Sequence, residues 1–411
     1  MLRVLSAPVL FALELTPACN NRCAGCPNVF GAEQEHDRPQ QPPLDLADWQ
    51  VVLNYLAPYA RRLKFTGGEP TLHPDFFQIV EYAESLGLDF TLFTNGRWLE
   101  PLELVRTLSR LSHLTGLLIS LHGAHAHSHE AFTGVSGSFE ETVENICLAL
   151  AAGLPATVST VLTEPNLDEI SDIVHLAEQL GINHVVFNRY LGPDVDGLTP
   201  SPSELACAVR QVEALRQEGH AVKFGNCIPQ CFLPNESSGC LAGVAYCAID
   251  PWGNVRPCTH SPLLAGNLLK QPLEEAWHAP AMEAFREAIA PQCHSCTAFS
   301  ICHGGCKALA MEQHVDMDPL ADPEQMPCGI NLISLRFHPD LCPVSNFTVY
   351  PQEWGLALLG GNRVVAVKAA AAPLLRMMDG TIPLSVIEER FGPPGLSLVG
   401  TLYQRGLISL K

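Results

Sequence analysis

From the start of the chain to about residue 220, short apolar runs alternate with longer stretches in which apolar positions recur at helical spacing. The short runs are Phe11 to Leu15, Leu63 to Thr66, Phe90 to Thr94, Leu117 to Leu121, Thr157 to Leu162 and Val185 to Tyr190, and they read as strands. Between them, patterns such as Leu46 to Tyr59, Phe76 to Leu86, Phe139 to Ala151 and Leu167 to Leu180 read as amphipathic helices. Six such strand-helix alternations predict an α/β fold, a partial (β/α)6 barrel of TIM type. In such folds sites gather at the carboxyl ends of the strands. Between Cys227 and Cys342 the periodicity fades and cysteine becomes dense among Gly, Pro and Asn. Ligation rather than an apolar core is expected to organise that stretch. Beyond Pro351 a cysteine-free tail reads strand, helix, helix, helix, strand, with Val364 to Val367, Pro373 to Met378, Leu384 to Phe391 and Leu396 to Arg405 as its elements. The expected domains are therefore 1–222, 223–348 and 349–411.

Composition narrows the picture. Of 411 residues, 47% are hydrophobic and 16% charged, enough for a large core, yet no apolar run approaches the roughly 20 residues of a membrane helix. The apolar start, Met1 to Glu14, flows directly into a cysteine motif, so its removal as a signal peptide would destroy that motif. Sixteen cysteines in tight clusters read as metal ligands rather than disulfides, which places the chain in a reducing cytoplasm. A formal charge of -19 repels phosphate backbones and argues against a nucleic-acid partner.

The candidate chemistry starts after the first strand. Cys19, Cys23 and Cys26 supply three thiolates in eight residues, one short of a closed tetrahedral or cluster site, which implies an open coordination position. After the second strand, Gly67-Gly68-Glu69-Pro70 removes two side chains so that backbone can approach a ligand, and Glu69 can accept from an ammonium. Asn95 and Ser120 end the third and fourth strands at the same rim. His122, His125, His127 and His129 follow the fourth, and are expected to line the cavity mouth or face solvent. Downstream, Cys240, Cys247 and Cys258 flank a tight turn at Asp250 to Gly253, followed by Cys293, Cys296, Cys302, Cys306 and Cys328. These eight thiols suffice for two closed four-cysteine sites, whether iron-sulfur or zinc. Cys227, Cys231 and Cys342 flank the field as spare ligands, substrate-facing thiols or buried residues, while Cys147 and Cys207 sit in helical patterns and read as core.

The first cysteine motif with its Gly-Gly-Glu-Pro loop resembles the radical S-adenosylmethionine enzymes, and the second field resembles the SPASM auxiliary-cluster domain found on members that modify peptides and proteins. The resemblance implies three [4Fe-4S] clusters and S-adenosylmethionine. The cofactor would complete the Cys19, Cys23 and Cys26 cluster, with Gly67, Gly68, Glu69, Asn95, Ser120, Ser159 and Asn188 as its contacts. One auxiliary cluster would take Cys240, Cys247, Cys258 and Cys306, the other Cys293, Cys296, Cys302 and Cys328. On reduction such a site generates a 5′-deoxyadenosyl radical that abstracts hydrogen from an unactivated C–H bond. The implied substrate is a ribosomally made peptide with a leader segment, and the implied electron donor a flavodoxin or ferredoxin. Sulfatase-maturing members carry an acid where this chain has Thr259, which leaves the catalytic base unassigned, with Asp250 and His260 as candidates. The tail resembles small winged-helix domains that bind peptide leaders, with Gly361 to Val367 as a sheet edge for the leader. Two alternatives remain: a small-molecule or tetrapyrrole enzyme of the same superfamily, such as a haem-precursor decarboxylase, and a zinc-binding regulator.

Overall fold

A computed structural model describes residues 2–30, 41–192, 194–234, 239–322, 337–361 and 363–411. Cys328 therefore lies outside the described residues. The chain divides into two compact units that do not follow the linear order of the expected domains: residues 7–226 with 246–287, and residues 1–6 with 227–245 and 288–411.

The first unit is built on a parallel sheet. Its strands are β1 (Leu10–Glu14), β2 (Arg62–Thr66), β3 (Phe90–Thr94), β4 (Leu114–Ser120), β5 (Ala156–Leu162), β6 (Val185–Arg189), β7 (Val222–Phe224) and β8 (Tyr246–Ile249). Neighbours run in the order β8, β1, β2, β3, β4, β5, β6, β7. All six expected strands form. The additions are β7, paired with β6, and β8, which pairs parallel to β1 with Leu10 opposite Tyr246 and Phe11 opposite Cys247. From β8 the chain turns into β9 (Asn254–Arg256) and β10 (Gly266–Asn267), both antiparallel to their neighbours. A stretch that reads as part of the cysteine-rich field thus completes the barrel sheet, because pairing to β1 buries its apolar side chains.

The connecting helices are α1 (Leu46–Leu56), α2 (Phe76–Ser85), α3 (Pro101–Leu108), α4 (Ala126–Thr133), α5 (Ser138–Ala151), α6 (Ile170–Leu180) and α7 (Pro202–Gln217). Their starts are written locally: Asp45 caps α1 by accepting from the Asp48 N–H, and Ser201 with Glu204 forms a reciprocal capping box on α7. Two short helices, α8 (Leu273–Trp277) and α9 (Pro280–Glu287), end the unit. Strand alternation sets the barrel's two faces. Leu63 and Phe65 are fully buried, while Arg62, Lys64 and Thr66 on the opposite face remain partly accessible. Cys147 and Cys207 are exposed on α5 and α7, contrary to the core expectation, because the buried stripes run through Ile146 and Ala149, and through Ala208 and Val212.

The second unit contains the short helices α10 (Phe299–Cys302) and α11 (Lys307–Glu312) and then the tail. Strands β11 (Pro343–Ser345), β12 (Thr348–Gln352), β13 (Gly355–Gly360) and β14 (Arg363–Val367) precede α12 (Ala372–Leu375), α13 (Leu384–Gln404) and β15 (Ile408–Leu410). β12, β13 and β14 form an antiparallel meander, whose first two strands the apolar pattern did not reveal. Leu358, Val365, Met378, Ile387, Val399 and Leu402 fill the core beneath it. The two expected final helices form one element broken at Gly392, whose φ of 63° only glycine adopts cheaply.

Candidate active site

The Cys19 to Cys26 loop leaves β1 and returns over the barrel's carboxyl rim. Burial pushes the Cys19 thiol up to about 11, with a smaller push from nearby Cys26, and burial together with Cys26 and Cys19 raises the Cys23 thiol. Protein groups converge on this loop. The Asn21 N–H donates to the Cys19 sulfur at 3.4 Å and Asn95 Nδ2 lies 3.8 Å from it. Asn95 also donates to Asn20 at 2.7 Å, while Arg97 reaches the Asn20 carbonyl at 2.6 Å and Asn21 Oδ1 at 2.9 Å. Phe132, Tyr190 and Leu198 pack around Cys23 and Ala24, so the loop's inner side is apolar. Arg97 and Tyr190 are the residues sequence reading missed here; a lone arginine and a strand-end tyrosine carry no spacing signal.

Gly67 and Gly68 serve a different contact from the one their sequence suggests. Gly68 N–H donates to the Thr16 carbonyl and Glu69 N–H to the Ala18 carbonyl, both at 2.7 Å. A Cβ on Gly68 would stand 2.2 Å from the Ala18 oxygen, and one on Gly67, at φ +149°, 2.7 Å from the Thr16 oxygen. The glycines let the second loop zip against the segment that carries the cysteines. Glu69 is fully buried and accepts from the Thr71 N–H at 3.2 Å, Thr71 Oγ1 at 2.7 Å, Thr94 Oγ1 at 2.9 Å and the Asn95 N–H at 2.7 Å. Four donors occupy the carboxylate that was expected to await an ammonium, so in this structure it ties the β2 and β3 loops together. Burial raises its pKa against those bonds. Ser120 sits at the end of β4 opposite Ser159, and Asn188 Nδ2 donates to Ser159 Oγ at 2.9 Å. Of the histidines, His125 and His127 are exposed, but His122 and His129 are buried and stacked, their rings 5.8 Å apart, and burial holds both neutral.

Deeper in the same unit lies a charged group. Glu14 and Arg256 form a fully buried ion pair, and Arg256 also donates to the Thr259 and Ser261 carbonyls at 3.2 and 3.1 Å. His260, hydrogen-bonded to Thr259, is pushed down to about 4 by burial and by the nearby Arg256 and Lys64, so it is neutral. Asp250 accepts from the Trp252 and Asn254 N–H groups and from the Asn254 side chain, each at 2.9 Å. Both of its oxygens thus serve the β8–β9 turn.

The downstream cysteines fall into sets that differ from the spacing pattern. In the second unit, Cys227 is in hydrogen-bonding reach of both Cys240 and Cys306, and its hydrogen bond pushes the Cys240 thiol down to about 6. Cys231 and Cys293 are mutually influencing, with Cys296 and Cys302 alongside, and the Gln230 N–H donates to the Cys302 sulfur. Cys247 and Cys258 belong to the first unit. Cys247 is fully buried in mid-sheet with Arg286 of α9 as its charged neighbour, on the face opposite Tyr246, whereas Cys258 lies near Tyr246 and Arg256. The turn forms as expected but strand alternation points Cys247 away. Among the described residues no three His, Cys, Asp or Glu are drawn together as tightly as one metal ion would hold them.

A barrel sheet whose carboxyl rim carries three cysteines in one loop has the donor set of an iron-sulfur enzyme. Residues 13–177 match the Radical SAM superfamily, and residues 240–297 match an iron-sulfur cluster-binding domain, SPASM. The chain belongs to the radical S-adenosylmethionine superfamily and is an enzyme of that kind, which sets aside the zinc-regulator reading. It is 30% identical over 338 residues to the AdoMet-dependent heme synthase of Methanosarcina barkeri (strain Fusaro / DSM 804), covering 75% of this chain and 94% of that protein. It is 31% identical over 335 residues to the mycofactocin maturase MftC of Mycobacterium ulcerans (strain Agy99), covering 78% of this chain and 88% of that one. In fold it is similar to Streptococcus suis SuiB bound to precursor peptide SuiA, with a TM-score of 0.63, 18% identity and coverage of 78% and 76%.

Proposed function

We propose that this chain modifies a ribosomally made peptide, using one S-adenosylmethionine-binding [4Fe-4S] cluster and two auxiliary ones. The observation that carries the reading is the Cys19 to Cys26 loop, in which three mutually close thiols are braced by Asn95, Arg97 and the Gly67-Gly68 segment. The donor set fits a cluster: soft thiolates, amide donors to sulfur and an apolar inner wall. Bound there, the reduced cluster and S-adenosylmethionine supply a 5′-deoxyadenosyl radical. The chain's own part is to seat the cofactor against Asn95, Ser120, Ser159 and Asn188, to exclude water with Phe132, Tyr190 and Leu198, and to hold the substrate below the rim. For the auxiliary sites the donor sets within the second unit become Cys227, Cys240 and Cys306, and Cys293, Cys296 and Cys302, each completed by a further cysteine. The free edge of β14, which pairs only with β13, suits a leader added as a strand. A flavodoxin or ferredoxin is the expected donor, in a reducing cytoplasm, and no helix of the described residues is long and apolar enough to cross a membrane.

The similarity to the heme synthase favours a second reading, in which the substrate is a tetrapyrrole and the tail is dispensable for turnover. Anaerobic purification with iron and sulfide counts tests the first step: about twelve irons per chain are expected for three four-iron clusters. S-adenosylmethionine cleavage on reduction should vanish when Cys19, Cys23 and Cys26 are all changed to Ala, and persistence would refute the site. Deleting residues 349–411 separates the two substrate readings, because the peptide reading expects lost coupling to peptide and the tetrapyrrole reading does not.

A further inference from the structure

Lys64 is a cation on the inward face of the barrel to which the site described gives no role. It stands mid-strand on β2, on the inward face defined by Arg62, Lys64 and Thr66, with Leu63 and Phe65 turned to the helices. Gly67 follows three residues later, so the ammonium stem starts about 10 Å below the rim where the cofactor would sit. Its Nζ lies 5.3 Å from the ring centroids of both Phe93 and Tyr246, which flank it from β3 and β8. These faces give partial compensation for lost hydration, but they are not a counter-charge.

The surrounding charges sharpen the point. The groups around this face are Arg62 on the same strand, Glu14 on β1, Arg256 on β9 and His260 in the loop that follows β9. Glu14 is committed to Arg256, and a histidine in either protonation state offers no negative charge. Among the described residues Lys64 forms no ion pair, although the chain as a whole carries -19. A half-buried ammonium set between two aromatic rings, with no counter-charge among the described residues, is a place where an anion is favoured.

We propose that Lys64 is the substrate-anchoring residue of the barrel cavity and that it takes a carboxylate of the substrate, with Phe93 and Tyr246 fixing the ammonium and Thr259 and His260 forming the adjoining wall. This rests on the enzyme reading above and adds the substrate's chemical class: a molecule presenting a free carboxylate close to the carbon that reacts. That chemistry has two sources, a peptide carboxylate or the propionate of a tetrapyrrole, and one experiment separates them.

The cluster-loaded full chain is titrated anaerobically with two acid-neutral pairs: the tripeptide Gly-Gly-Phe against its C-terminal amide, and protoporphyrin IX against its dimethyl ester. Binding is read by tryptophan fluorescence for the first pair and porphyrin absorbance for the second. In the wild type, one pair should show at least tenfold tighter binding of the acid, and which pair does so identifies the source. Lys64→Met should abolish the acid preference while keeping iron content and melting behaviour at or above wild type, and Lys64→Arg should keep most of it. No acid preference in either pair, or a preference that survives in Lys64→Met, overturns the proposal. A wild-type chain that takes up no iron fails the enzyme reading instead, and the iron count reports that independently of the titration.

Discussion

Setting the half-buried Lys64 amine between two rings, with no ion-pair partner among the described residues, leaves a thermodynamic signature. Burial, with a smaller push from Arg62, lowers its pKa from the ordinary 10.5 to about 8. Between those values the unfolded chain binds more protons than the folded one, so stability rises with pH through that window. The penalty is complete below about pH 8 and gone above about 10.5. Lys64→Met is therefore expected to raise the melting temperature at pH 7, with the gap to wild type closing as pH climbs from 8 to 10.5; a gap independent of pH would refute an uncompensated charge. Glu69 makes the contrasting case. Its four donors want an acceptor-only group, and Glu69→Gln places an amide NH2 among them. Stability should fall by about 1–3 kcal/mol in urea titrations. Neither role was legible in the sequence, where Lys64 was only a residue within a strand and Glu69 a free carboxylate, because both depend on which side chains arrive from other strands.

At the level of elements, loop β2 and the cysteine segment act as one. Gly68→Ala would drive a Cβ to 2.2 Å from the Ala18 carbonyl, a backbone atom that cannot swing aside. The variant should lose about 1–3 kcal/mol of stability and retain fewer irons after desalting, whereas Cys147→Ala, exposed on α5, should change neither. Strand β8 decides the fate of a cysteine in the same way. Cys247 points to Arg286 because side chains alternate along a strand, and the strand's pairing to β1 fixes which parity faces inward. Cys247→Ala should leave the iron count near wild type and Cys227→Ala should lower it by about four irons. The opposite result would restore the ligand set that the resemblance implies. The six central strands were legible, since runs of β-branched and aromatic residues bounded by turns declare themselves locally. β8 was not, because its partner is more than 200 residues away in the chain and its residues sit among cysteines.

For the whole molecule, the two units differ in what holds them. The barrel unit has a continuous core from Phe11, Leu13, Phe65, Phe90, Leu92, Ile119 and Phe187, all fully buried. The segments 227–234, 239–245 and 288–322 of the other unit contain only short helices and a concentration of thiols. Metal and folding are coupled in such segments. Stripping iron with a chelator under reducing conditions should therefore expose cleavage sites in residues 227–234, 239–245 and 288–322 first, while the barrel strands keep their amide-exchange protection; simultaneous loss across the chain would show the cores to be one cooperative unit. The sequence alone determined the three-thiol loop, the Gly-Gly-Glu-Pro turn and the parallel βα rhythm, because covalent spacing within a loop and periodicity within a strand or helix are local properties. Only the tertiary structure brought Cys227 beside Cys240 and Cys306, set four donors on Glu69 and placed Lys64 between Phe93 and Tyr246. Those outcomes are set by strand register and by which distant chain segments share one dry interior, where an unmatched charge or a misplaced Cβ has nowhere to go.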